Sequence, residues 1–453
     1  MSLNRSLIRM LLARQASGIP PEIRLKTRLQ IADSIGIALA ARRSLAMAQQ
    51  VESALGAGAS SGACSVLGSR QKLPPPQAAF ANSALVHMLD YDDIHDAARL
   101  HPTAVTLPAA LAAAELAQGT EAALVEAVAL GSELMCRLGV MYSPTGEGPG
   151  SDWFLTQLFG YFGSCLTAGV MLRMTEDEIV AAFGLAYMQA AGGKEAGFGV
   201  GSTARSIYPA FAAMGGVQAA LLARAGVTGP ESALDGAAGL FRIYLGGEPN
   251  AASLKALLEN AAWCLPDIEA KPWPSCRLSH PYVAAALAVR AQLPQAPIRR
   301  VLVAVNASAA KLCRPLDERR RPRTLQDAKY SIPFMVAFTL VQGKVDLATL
   351  NADTIADAKV LDLASRVEIA ETLPDKPGHP AAEITVETEQ GRTSSPKDLK
   401  LQMSAAGLRD KFFACLQHAG AGAAQTQALW QRLQQGDAGS VAAMLGTIPC
   451  NDR

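Results

Sequence analysis

Aromatic residues are scarce in this chain of 453 residues: Phe, Trp and Tyr together make up 5%. That scarcity argues against a β-sandwich, whose strands favour aromatic and β-branched side chains, while the abundant alanine and glycine suit closely packed helices. Charge of one sign is also lacking, since 41 Lys and Arg oppose 40 Asp and Glu, for a net charge of +1. No basic field points to nucleic acid and no acidic tail to a basic partner. No stretch reaches the roughly 18–20 uninterrupted apolar residues of a membrane span. Neither nucleic acid nor a membrane is therefore expected as a partner. The N-terminus sets Arg5, Arg9 and Arg14 among Leu7, Ile8, Leu11 and Leu12, which reads as a first helix rather than a signal-peptide core. The cysteines are scattered, with no CxxC pair, no His/Cys cluster at zinc spacing and no grouping suited to an iron–sulfur centre. Free thiols in a reducing cytoplasm are expected, with no zinc and no iron–sulfur metal centre.

What is present is ample core material. Half the residues are apolar and only 18% are charged, which excludes a disordered chain. At about 150 residues per domain, the length allows two or three domains, or one large domain with an insertion. Apolar residues recur at helical spacing through Ile23–Ala41 and through segments 76–88, 104–117, 120–141, 155–171, 175–190 and 210–225. Thr175 and Glu178 have the spacing of a capping box. Near Pro266 the character changes. Residues 300–306, 367–370 and 383–388 are β-type runs, the last ending at the turn-like Gln390-Gly391, and such runs occur only in this part of the chain. Segments 327–341 and 353–365 between them have helical spacing, and helix resumes at Leu408–Cys415, Thr426–Leu433 and Val441–Leu445. The expected fold is mainly α: a large all-helical domain of residues 1–266 plus 405–453, with a smaller α+β domain inserted at 267–404.

Three polar clusters interrupt this apolar pattern. The first runs from Asp90 through Tyr91, Asp92, Asp93 and Ile94 to His95, and is followed by His101, between two apolar helices. Carboxylates beside imidazoles could form a proton-transfer centre, a Mg²⁺ or Zn²⁺ site, or a solvated loop with helix caps. The second runs from Lys271 through Trp273 and Cys276 to Arg277 and His280. Its prolines fix an extended path at the domain junction, where Lys271, Arg277 and His280 could meet an anion, or could simply decorate a rigid linker. The third, 199–209, is a glycine-rich loop leading into Arg205 and Tyr208, which at a spacing of three would share one helical face. It has neither the Walker A ending nor the dinucleotide pattern. The basic run Arg314–Arg323 is interleaved with Asp317 and Glu318 and reads as a solvated loop.

Taken in order, these clusters resemble the MmgE/PrpD family. The resemblance runs from Ile31–Gly36 to the C-terminal helices. It is strongest in the Asp-Tyr-Asp-Asp stretch with His101-Pro102, in Pro108-Ala109-Ala110, in Lys271 through His280, and in Lys329 through Phe334. The family's known activities include dehydration of 2-methylcitrate, decarboxylation of cis-aconitate and epimerisation of iminodisuccinate. The resemblance implies a helical domain with an α+β lid, a homodimer, no cofactor, and a carboxylate pocket between the domains. Asp90, His101 and Lys271 match family active-site positions. The chain departs from the family pattern at Ile94, at Arg205 and Tyr208, at Phe154 and at Cys276, which stands where some members have histidine.

The chemistry implied is proton abstraction α to a carboxylate of a small hydroxy di- or tricarboxylic acid, as in a dehydratase-type lyase. Lys271 and Arg205 are the expected cations for the developing charge, with Arg277 in reserve. His101 is the expected base, oriented by Asp90, and Tyr208 the expected acid. Arg277, His280, Cys276, Asp93 and His95 are further candidates for holding the substrate. An epimerase or isomerase, a decarboxylase, and a catalytically silent carboxylate-binding protein are the alternatives on the same scaffold.

Overall fold

Small residues bring the long helices of this protein together. In the computed structural model, helices Thr103–Ala117, Glu121–Met141, Leu155–Met171 and Tyr208–Arg224 pack on one another. A methyl group added at Gly131 would overlap Thr167, and one added at Gly216 would overlap Ser164. Backbones that approach this closely leave no room for larger side chains. The structure describes every residue except 1, 58–61, 143–150, 198–200, 248, 375–380, 397, 398, 400, 437, 438 and 451–453. Helix accounts for 59% and strand for 9%, so the fold is mainly α. Thr175 and Glu178 do form a capping box at the start of Glu176–Tyr187. Among the described residues no helix is long and apolar enough to cross a membrane.

Apolar side chains gather into two clusters. One draws on residues from Leu3 to Ile268 together with Phe412 to Ile448. The other spans Cys276 to Val386. The C-terminal helix Ala405–His418 returns to the first cluster and packs on Pro21–Ser44. There Lys411 donates to Asp33 at 2.9 Å and to the Tyr91 carbonyl at 2.7 Å, all buried. The second cluster is built on a four-stranded sheet in the order Val367–Glu371, Ile298–Val305, Glu383–Thr388, Gly391–Ser394. The first two strands are parallel and the other pairs antiparallel. Val301, Val303 and Val305 alternate into the core, and Gly391 at φ 132° closes the last hairpin.

Several expectations need correction. Strands are not confined to 267–404: two-residue ladders join Cys64–Ser65 to Lys72–Leu73, and Ile94–His95 to Ile268–Glu269. Pairings this short need no β-type run and leave no periodic signal. Segment 327–341 is two helices, Leu325–Lys329 and Ile332–Gln342. Ser331 caps the second, and Pro333 fits only its first turn. Segment 353–365 is a short 3₁₀ turn followed by the helix Ala358–Ser365. The run around Arg314–Arg323 holds a helix, Leu316–Arg320, and buries Arg319 against the Arg314 and Tyr330 carbonyls at 3.1 and 3.2 Å.

Candidate active site

The first polar cluster lies between helices Pro75–His87 and Thr103–Ala117. Its opening turn holds Asp90 at φ 52°, a left-handed conformation that Asp tolerates better than most residues. The Asp90 N–H donates to the His87 carbonyl at 2.8 Å. The ladder pairing Ile94 with Glu269 and His95 with Ile268 ties this loop to the second cluster. Lys271 is thereby brought onto Asp90, its Nζ donating to Oδ1 at 2.5 Å and to the Asp90 carbonyl at 3.1 Å. Lys271 is fully buried. Burial alone would raise the Asp90 pKa, but Lys271, with His87 and His101, holds it below the ordinary carboxylate range.

His101 is in a different electrical situation. Its Nδ1 lies 2.7 Å from the Asp93 carbonyl oxygen. A carbonyl only accepts, so in the neutral ring Nδ1 carries the proton and Nε2 the free electron pair. Burial, opposed by Asp92 and reinforced by Lys271, lowers the His101 pKa to about 4, so the ring is neutral at pH 7. Asp92 Oδ2 sits 3.4 Å from His101 Nδ1 and 2.8 Å from His87 Nδ1. Burial works against the Asp92 charge, but the two imidazoles keep its pKa lowered. Asp90 therefore does not orient His101: it is spent on Lys271, and the histidine is set by the Asp93 carbonyl and Asp92.

Beside these groups lies a cavity of about 190 Å³. Arg99, Lys194, Arg205, Arg277 and Lys311 line it, against the carboxylates of Asp90 and Asp96. Arg205 donates to the Gly197 carbonyl at 2.8 Å and lies over the Tyr330 ring at 3.5 Å. Arg277 forks onto Asp96 with contacts of 3.0 and 2.9 Å. Lys194 donates to the Ser151 carbonyl at 3.3 Å. Burial, then repulsion from Arg205, Lys311 and Arg99, brings the Lys194 pKa down to about 8. Tyr208 stacks on Phe154 with ring centres 4.2 Å apart and donates to Thr156 Oγ1 at 3.2 Å. Burial pushes its pKa above the usual value, so it keeps its proton. Such a cavity suits a small molecule with more than one negative charge.

Of the residues expected from sequence, Asp90, His101, Arg205, Tyr208, Cys276 and Arg277 line the cavity, and Lys271 stands behind Asp90. Arg205 and Tyr208 do so without sharing a helix: Arg205 is in a 3₁₀ turn, and the α-helix begins at Tyr208 with Pro209 in its first turn. Gly199 and Val200 of the glycine-rich loop lie outside the described residues. Cys276 has its thiol pKa raised by burial, and its N–H donates to the Lys329 carbonyl at 3.1 Å.

Asp93, His95 and His280 are not among the lining residues. Asp93 turns to the Thr103 hydroxyl, and burial raises its pKa to about 7. His95 accepts from the Ala98 N–H at 3.1 Å and so shapes its own loop. His280 bridges the Ser275 carbonyl at 3.1 Å and Arg277 at 3.3 Å. Sequence reasoning missed Arg99, Lys194 and Lys311 on the cavity wall, and His87 behind it. Lys194 had a signal, since it follows Gly192-Gly193 directly after an apolar helix. The other three had none above the background of surface charge and helix ends.

Two family models and several relatives match the chain. Residues 5–252 match the MmgE/PrpD N-terminal domain and residues 273–435 the MmgE/PrpD C-terminal domain. A cis-aconitate decarboxylase of Aspergillus terreus is 28% identical over 326 residues, a match covering 68% of this chain and 66% of that protein. A cis-aconitate decarboxylase-like protein of Aspergillus oryzae is 27% identical over 401 residues, covering 83% of this chain and 82% of the relative. The human cis-aconitate decarboxylase is 26% identical over 316 residues, covering 66% of this chain and 62% of the human protein.

Proposed function

The chain belongs to the MmgE/PrpD family, and from that premise we propose that it is a lyase that works without a cofactor, acting on a small hydroxy di- or tricarboxylic acid. The observation that carries this reading is His101. It is neutral, with its free electron pair on Nε2, and it lines a cavity rich in cations. In the first step Nε2 takes the proton α to a substrate carboxylate. The electron pair left behind spreads into that carboxylate, and Arg205 and Lys194 stabilise the added charge. The Lys271–Asp90 pair acts from behind. Its buried ammonium holds the Asp90 carboxylate in one orientation on the cavity wall. Tyr208, which keeps its proton, donates it to the departing hydroxide, so that water leaves and an alkene remains.

Decarboxylation is the second reading, favoured by the names of the relatives. It needs the same cations but breaks a carbon–carbon bond, with a proton then delivered to the carbanion. We also read residues 267–404 as a lid over the cavity and the active form as a cytoplasmic homodimer. In support of the dimer, Phe211 and Leu222 of helix Tyr208–Arg224 are exposed apolar side chains, and light scattering in solution tests it.

Incubation with candidate acids in deuterium oxide discriminates among the reactions. Dehydration yields an alkene, decarboxylation yields carbon dioxide, and epimerisation yields deuterium wash-in with the skeleton intact. A thermal shift without turnover on any di- or tricarboxylic acid would overturn the lyase reading.

A further inference from the structure

We propose that His87, Asp92 and His101 form a zinc site whose occupation switches the protein off. Each of the three offers a ligand atom, and these atoms lie within 4.8 Å of one another. The two distances to the Asp92 oxygen already approach those of a metal site, and the two imidazole nitrogens lie within 4.8 Å of each other. In a tetrahedral zinc centre with bonds of about 2.0–2.2 Å, ligand atoms stand roughly 3.3–3.5 Å apart. His101 Nδ1 is 3.4 Å from Asp92 Oδ2, and His87 Nδ1, at 2.8 Å from the same oxygen, needs to open by only about half an ångström.

A second observation is independent of that spacing. Asp92 Oδ1, the second oxygen of the bridging carboxylate, is buried without a hydrogen-bond partner in a residue that is 0% exposed. A buried carboxylate oxygen with no hydrogen-bond partner is an atom that a cation satisfies. Two imidazole nitrogens and one carboxylate oxygen suit a borderline metal such as zinc, and not the all-oxygen preference of Mg²⁺ or Ca²⁺.

The surroundings permit a cation. Asp90, Asp92 and Asp93 lie on this loop, and the nearby ammonium groups are already engaged: Lys271 by Asp90 and Lys329 by the Leu89 carbonyl at 2.8 Å. His101 lines the cavity while Asp92 and His87 do not, so an ion reaches this site past the His101 ring. Binding through Nδ1 costs His101 its hydrogen bond to the Asp93 carbonyl and obliges each imidazole to carry its proton on Nε2. The nitrogen that serves as base in the reading above is then occupied by a proton, and turnover stops. The inhibitory consequence rests on that reading, whereas the metal site does not.

The experiment titrates intact, chelator-treated protein with Co²⁺, follows the visible d–d absorption, and displaces the Co²⁺ with Zn²⁺ under metal-buffered conditions. Saturation at one metal per chain is expected, with loss of turnover tracking Zn²⁺ occupancy on any acid the enzyme accepts. His87→Gln should weaken Co²⁺ binding by at least roughly tenfold, a loss that removing an outer partner of a metal ligand already produces. If His87→Gln fails to fold, His101→Asn removes a partly exposed ligand and tests the same site. No stoichiometric absorption, or affinity unchanged in the folded variants, overturns the site. Affinity lost in Cys276→Ser but kept in His87→Gln moves the metal to the cavity thiol and also overturns it. The Co²⁺ spectrum needs no substrate, so the site is decided even if no acid is turned over. Full turnover with zinc bound at His87 would overturn the switch alone.

Discussion

Replacing His101 with asparagine removes a group whose titration the fold has displaced, and the displacement sets the size of the effect. The folded ring titrates near pH 4 and an unfolded one near 6.5. The unfolded chain therefore binds a proton in this interval that the folded chain refuses, and stability falls as pH drops from 6.5 toward 4. Worked through the linkage relation, His101 takes about 2 kcal/mol of stability away between pH 7 and pH 5, and about 3 kcal/mol once both states are protonated. Urea unfolding at pH 7 and pH 5 reads this directly. The wild type should lose about 2 kcal/mol more than His101→Asn over that step, because asparagine does not titrate. Asp90 is held low chiefly by Lys271 and Asp92 chiefly by His87, and Asp93 keeps its Thr103 partner, all of which the variant retains, so these carboxylates should contribute much the same to both proteins. The difference between the two proteins therefore isolates His101. The same variant should lose about 10²–10⁴ in kcat while still showing a ligand-induced thermal shift. Parallel loss of stability in the two proteins would falsify the displaced titration. Near-native kcat would mean that another group moves the proton, and Tyr208→Phe is then the variant to examine.

Other substitutions test the remaining charges. Lys271→Ala leaves Asp90 buried and unpaired, so a loss of about 3–5 kcal/mol in denaturant unfolding is expected, largely recovered when Asp90→Asn is added. Lys411→Ala should cost a similar amount by stranding Asp33, with Asp33→Asn as the compensating change; an effect under about 1 kcal/mol would show that water reaches this pair. Lys194, titrating near 8, loses its charge as pH rises through that value, so KM for an anionic substrate should climb above pH 8. In Lys194→Arg that climb should vanish, since arginine stays protonated. An unchanged KM profile would place Lys194 outside the binding set.

The helices were legible where small apolar residues recur at helical spacing over several turns, as in Leu155–Met171 and Glu121–Met141. They were not legible where tertiary contacts decide. Helix His280–Arg290 follows a proline-rich stretch and opens with His280 and Pro281, so its start resembles the loop before it. The ladder between Ile94–His95 and Ile268–Glu269 has no pattern of its own, because each strand is two residues long and its partner lies far along the chain. Yet that ladder brings Asp90 and Lys271 together. Residue types at the site could thus be named from sequence, while the pairing that gives each its role could not.

His101 shows how far that limit reaches. Sequence places four carboxylates, Asp90, Asp92, Asp93 and Asp96, in the eleven residues before it and does not say which one it meets. Asp90 was the natural choice because it opens the cluster and matches a family position. The fold instead turns Asp90 through a left-handed backbone onto a lysine from another part of the chain, and gives the histidine a carbonyl and Asp92. The consequence is chemical. A histidine paired closely with a carboxylate would have its pKa raised, whereas one held by a neutral carbonyl in a buried site has it lowered. A base that is unprotonated before substrate arrives needs no prior loss of a proton. The departure from the sequence expectation therefore concerns the partner of His101. It also changes what the pH dependence must look like: activity on the acid side should persist to well below pH 6.5 and fall as pH nears 4. An acid limb of kcat/KM centred at 6.5 or above, measured on a verified substrate, would mean that His101 pairs with Asp92 more closely in the working enzyme than the 3.4 Å seen here.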